Sequence, residues 1–181
     1  MSSSFSIAPA LANFDVPLST LTNSDDNAGK RLVVGVAIAR RSASGHLPKV
    51  LLVQRASHEQ LFPDMYELPG GKCESTDGTL LDTVARETFE ETGYRVTRVV
   101  AEFPGFEYST PKGDARQYNF IVTVDGGSDS NVDPTLDPKE HQAFAWVDDS
   151  EYKAYPMSEA MRLVVADALS AIVNVRRLDH A

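Results

Sequence analysis

Cysteine is almost missing from this chain of 181 residues: Cys73 stands alone, which excludes an internal disulfide and points to a reducing compartment. Basic residues are scarce as well. Seventeen Lys and Arg face 26 Asp and Glu, a formal net charge of −9, and no Lys/Arg run occurs; this balance argues against binding a nucleic-acid polymer or an anionic membrane surface. No apolar stretch exceeds the eight residues from Leu32 to Ala39, far short of the ~20 that cross a bilayer. Residues 1–29 contain no Lys, Arg or His, so neither the basic start of a secretory signal nor an Arg-rich transit peptide is expected there. The cytoplasm is the expected location. No internal repeat is present, and the length suits one domain that buries roughly two thirds of its extended surface.

What is there centres on Pro69-Gly70-Gly71-Lys72-Cys73-Glu74 and, further on, Arg86-Glu87-Thr88-Phe89-Glu90-Glu91-Thr92-Gly93. Between and through them runs an amphipathic helix, since Leu81, Val84, Ala85 and Thr88 recur at helical spacing. Gly93 is suited to stop it. Glu87, Glu90 and Glu91 stand at i, i+3 and i+4, a spacing that places three carboxylates on one face away from the apolar stripe. Like charges so placed repel by roughly 0.2–0.5 kcal/mol per pair; a divalent cation removes the penalty, and carboxylate oxygens are the ligands that Mg²⁺ selects. A solvated acidic face, with Arg86 paired to Glu90, is the alternative.

The rest of the chain alternates strands and loops. Residues 1–29 read as an extended or partly disordered arm with isolated apolar residues such as Phe5, Phe14, Leu18 and Leu21, and 30–181 as the folded domain. Strands are expected at Arg31–Arg41 and Lys49–Arg55 around a hairpin loop that carries His46, then at 95–108 and 115–125, and at 143–147 after a long polar loop, 126–139. Asp148 to Tyr155 reads as a short helix or turn. Ser158 is placed to cap a final helix whose stripe from Ala160 to Val173 is core. Strands before and after one helix, then a terminal helix, indicate an α/β domain.

The joint pattern resembles the box of the Nudix hydrolase family: Gly, five residues, Glu, seven residues, Arg-Glu, an apolar residue, any residue, Glu-Glu, any residue, Gly, apolar. Arg86, Glu87, Glu90, Glu91, Gly93 and Tyr94 fill its second half. The first half departs from it. One residue is inserted, the first Glu is absent, and Asp77 is its nearest substitute. The resemblance covers roughly residues 32–175 and implies a mixed β-sheet sandwiched between helices. It implies Mg²⁺, with Mn²⁺ as an alternative, held by Glu87, Glu90 and Glu91 and by a carbonyl of Gly70 or Gly71. It further implies that Arg86 orients a ligand Glu, and that Glu140, six residues ahead of Trp146, is an extra ligand or the general base, with Glu90 or another helix Glu as the alternative base. His141 is a further candidate beside it.

The implied reaction is hydrolysis of a pyrophosphate bond in a nucleoside diphosphate linked to another moiety, by a monomer or homodimer. Nucleoside triphosphates, ADP-ribose-like compounds and non-nucleotide diphosphates such as isoprenoid esters stay open as substrates, as does a module that binds a nucleotide or partner without turnover. Arg55 reads as a phosphate contact or a structural ion pair. Gly71 allows a ligand close to the backbone. Tyr118, like Tyr66, Phe106 and Tyr108, reads as a base-stacking ring or as core.

Overall fold

A computed structural model describes residues 5–40, 48–125 and 132–178, the side chains of 176–178 excepted. His46 and the first half of the loop at 126–139 lie outside the described residues. Among these, seven strands form one mixed sheet: β1 (Ser6–Ile7), β2 (Arg31–Arg40), β3 (Lys49–Arg55), β4 (Tyr66–Glu67), β5 (Val96–Thr110), β6 (Gly113–Val124) and β7 (His141–Val147). The order is β1-β5-β6-β2-β3-β4, with β7 also paired to β3. β1 runs parallel to β5 and β2 to β6, and the other pairs are antiparallel.

Side chains of successive strand residues alternate between faces, so Leu51 and Phe120 enter one buried cluster while their neighbours Leu52 and Ile121 enter the other. Burial on both faces accounts for the nearly unbroken apolar run of β2. The first cluster lies under helix α2 (Leu80–Thr92); the second lies under the terminal helix α3 (Glu159–Leu178), through Val165 and Leu169.

α2 starts and stops for local reasons. Thr79 Oγ1 accepts from Asp82 N–H at 3.1 Å while Asp82 Oδ2 accepts from Thr79 N–H at 2.9 Å, a reciprocal cap. Gly93 takes a φ of 72°, left-handed, and ends the helix. In α3, Ser158 Oγ accepts from Met161 N–H at 3.2 Å, as expected of its cap.

The arm differs from its expected extended or partly disordered form. From Phe5 onward it carries β1, a 3₁₀ turn at Pro9–Phe14 and a short helix α1 (Leu18–Thr22). Phe5, Leu11 and Phe14 are buried in the cluster beneath α2. Phe14 meets Tyr118 and Phe120 edge-on, with ring centroids 5.5 and 5.1 Å away. The single apolar residues that show no period in sequence are anchors at irregular intervals.

Among the described residues, β2 and β3 pair at Ala39–Val50 and Arg40–Lys49 and then diverge. The segment from Pro69 to Cys73 fills the gap along β2: Pro69 O accepts from Val36 N–H at 2.8 Å, Gly71 O from Val34 N–H at 2.8 Å, and Leu32 O from Cys73 N–H at 2.9 Å. This insertion sets the glycine pair against the side of α2.

Candidate metal centre

Gly70 has a φ of 148°, and a Cβ there would collide with the Val34 carbonyl, so only glycine passes this close to β2. Its N–H donates to Glu91 Oε2 at 2.8 Å. A Cβ on Gly71 would sit 2.6 Å from Glu87 Oε1; the second glycine leaves room for a carboxylate. The Gly71 carbonyl serves Val34, which leaves Gly70 as the member of the pair whose carbonyl stands outside the β2 ladder. Gly71 therefore has its role here in backbone packing and in clearance for Glu87.

The three helix carboxylates share a side of α2 but differ in burial. Glu87 and Glu91, four residues apart, are 8% and 5% exposed and turn inward, whereas the side chain of Glu90 is 55% exposed. The glycine segment roofs the inner side of α2, and only residues one full turn apart lie beneath it. Burial pushes the Glu91 carboxyl well above the usual carboxylate range, with the Gly70 N–H opposing, and Glu67, Glu87 and Glu140 add to the rise. Burial also raises Glu87, against the neighbouring Arg86 guanidinium.

Arg86 holds the outer side of this cluster. Its Nε and Nη2 donate to Asp77 Oδ1 and Oδ2 at 3.0 Å each, its Nη1 to Glu87 Oε1 and Glu90 Oε2 at 2.9 Å each, and Nη2 also to Lys72 O at 2.9 Å. Asp77 further accepts from Glu74 N–H and Thr83 Oγ1. Burial alone would raise Asp77, but these donors, Arg86 foremost, hold it below its ordinary value. The residue nearest the missing Glu is thus the anchor of Arg86 rather than a cation ligand.

Glu140 and His141 arrive from the other side. Asp137 O accepts from both their N–H groups, at 3.1 and 2.9 Å, and the Glu140 carbonyl accepts from Ala56 N–H at 2.8 Å. A bulge between Gln54 and Arg55 shifts the β3–β7 register at this point and re-aims the residues around it. Ligand atoms of Glu91, Glu140 and His141 come within 4.8 Å of one another. Glu140 is exposed at the mouth, and His141 is 1% exposed.

Two expected substrate contacts have other engagements. Arg55 donates to Glu67 Oε1, Glu59 Oε2 and the Leu61 carbonyl, all at 2.8 Å, the structural ion-pair alternative. Tyr118 faces the arm, its hydroxyl 3.1 Å from Asn27 Oδ1. Glu67 was not singled out from sequence; it sits on a two-residue strand without periodicity, and only its place three residues ahead of Gly70 pointed to it. Cys73 is no reactive thiol: burial foremost pushes it up to about 11.

The donors fit a divalent cation. Glu91 is a buried carboxylate with no ion-pair partner among the described residues, beside oxygen ligands of the kind hard cations take. Among the described residues, no helix is long and apolar enough to cross a membrane.

Comparison with known proteins agrees with this geometry. The chain is 32% identical over 134 residues to the m7GpppN-mRNA hydrolase NUDT17 of Danio rerio, covering 67% of this chain and 43% of that one. It is 30% identical over 95 residues to an uncharacterized Nudix hydrolase NudL of Enterobacter sp. (strain 638), covering 41% and 47%. The chain thus spans under half the length of these relatives. The NUDIX domain of Shewanella oneidensis NrtR, solved with ADP ribose, superposes with a TM-score of 0.64 at 19% identity, over 85% of this chain and 97% of that one. The profile described as NUDIX domain matches residues 29–168, and the chain belongs to that family.

Proposed function

We propose that the chain hydrolyses a pyrophosphate bond in a nucleoside diphosphate linked to another moiety, a nucleoside triphosphate or an ADP-ribose-like compound. The observation that carries this reading is Glu91, a carboxylate 5% exposed that faces other acidic groups and accepts a single backbone N–H. Such an arrangement costs stability unless a cation completes it. Glu87, Glu91, Glu140 and the Gly70 carbonyl would hold Mg²⁺ or Mn²⁺, with Glu90 at the outer edge. When bound, the cation supplies charge neutralisation for the diphosphate and activation of the attacking water.

The chain's own residues do the rest. Arg86 fixes the Glu87 carboxylate and ties Glu90 to the helix. Glu140, exposed and within reach of Glu91 and His141, would take the proton from water. The Danio rerio relative is named for an m7GpppN-mRNA substrate and the Shewanella oneidensis domain was solved with ADP ribose; both names support a nucleotide with linked phosphates. The deficit of basic residues favours a small molecule over a polymer.

A panel of diphosphate and triphosphate compounds assayed with Mg²⁺ tests this. Glu90→Gln and Glu91→Gln are each expected to fold and to lower kcat by at least ~10²-fold, the scale of removing a key electrostatic group. Binding without turnover by the wild type would reduce the protein to a recognition module.

A further inference from the structure

The one buried polar atom of the metal centre that the carboxylate set does not use belongs to His141. The ring is 1% exposed. Its Nε2 lies 3.4 Å from Glu67 Oε1, an oxygen that Arg55 Nη1 also engages at 2.8 Å. Its Nδ1 is buried with no hydrogen-bond partner among the described residues. With a carboxylate oxygen as its neighbour, Nε2 is the nitrogen suited to donate, and Nδ1 is the one left without a partner among the described residues. An unmet acceptor in such a place costs about 1–3 kcal/mol. An imidazole that donates one N–H to a carboxylate while its other nitrogen is free is the arrangement by which proteins orient a metal-binding histidine.

We infer that His141 is a nitrogen ligand of the Glu91–Glu140 centre, with Glu67 and Arg55 orienting its ring, and that this nitrogen makes the centre prefer Mn²⁺ over Mg²⁺. One ring nitrogen of His141 and a carboxylate oxygen each of Glu91 and Glu140 lie within 4.8 Å of one another, and side-chain adjustments would bring such a set onto a common ion at about 2.1 Å. Mg²⁺ selects oxygen, whereas imidazole suits the first-row transition metals. The bulge at Gln54/Arg55 and the Arg55–Glu67 pair acquire a purpose on this account: they hold the ring in place from behind. The inference rests on the metal-centre reading above and adds a ligand to it.

Electron spin-echo modulation of Mn²⁺ bound to the wild-type protein tests it without turnover. Nitrogen modulation is expected, and ¹⁵N-histidine labelling should change its frequency. It should persist in His58→Ala, which removes the exposed neighbouring ring that contacts Lys139 O, and vanish in His141→Gln. Calorimetric titration of His141→Gln should show Mn²⁺ affinity falling by about tenfold or more, with Mg²⁺ affinity changed by less than about threefold. If Mn²⁺ binds, Glu91→Gln weakens it and no nitrogen signal is seen in the wild type, the histidine ligand is refuted while the carboxylate centre stands. If Mn²⁺ does not bind, or Glu91→Gln leaves binding intact, both fall. The wild-type spectrum decides the matter even if the buried substitution fails to fold.

Discussion

Arg86 engages all five of its N–H groups within the fold, on Asp77, Glu87, Glu90 and the Lys72 carbonyl. Neither Lys nor any other side chain offers that planar fork. Arg86→Lys is therefore expected to destabilise the protein by about 1–3 kcal/mol and, by releasing Glu87, to weaken Mg²⁺ binding. Urea denaturation and calorimetric titration read the two effects separately. A variant with unchanged stability and metal affinity would show that the fork is ornamental. In sequence, the Arg-Glu-x-x-Glu-Glu spacing made the acidic cluster legible, and Asp77 stood out as the substitute in an altered box. Its actual partner was not legible. Asp77 reaches Arg86 only because the loop folds back through Glu74 N–H and Thr83 Oγ1.

At the scale of elements, the arm and the altered box are joined. The N–H of Leu18, at the start of α1, donates to the carbonyl of Gly78, in the altered first half of the box, at 2.8 Å. Phe14 packs beside Tyr118 and Phe120 in the cluster that supports α2. Phe14→Ala should cost about 3–5 kcal/mol, as aromatic truncations in cores do, measured by urea denaturation. Hydrogen exchange should then rise in α2 as well as in the arm. Exchange that rises in the arm alone would mean that it only lies on the domain. The period of β2, β3 and α2 could be read because each repeats its burial along its own length. The arm could not be read, because its apolar residues match cavities made by distant strands and have no rhythm of their own.

Across the whole molecule, buried acid gives stability a pH dependence whose sign follows from the shifts. Glu91 and Glu87 have folded values raised above the unfolded ones. The stability they contribute is complete below the usual carboxylate range, about pH 4, and is lost as pH rises through their raised values. Asp77 is depressed, so its contribution is present above that range and lost as pH falls through its own lower value. In chelator, the urea midpoint is expected to fall as pH rises from about 5 to 8, and saturating Mg²⁺ should flatten the slope by binding the ionised form. The same slope with and without Mg²⁺ would contradict a cation at these carboxylates. From sequence alone came the α/β class, the strands and helices with a regular period, the box helix with its stop, the cap of the terminal helix and the acidic residues of the candidate site, because these follow from local spacing. Which carboxylates turn inward, that Glu67 joins them, and which of the two readings holds for Arg55 and Tyr118 followed only from the fold. Those outcomes depend on where β2 parts from β3, where β7 bulges and what the arm covers, contacts between residues far apart in the chain that leave no mark on local composition.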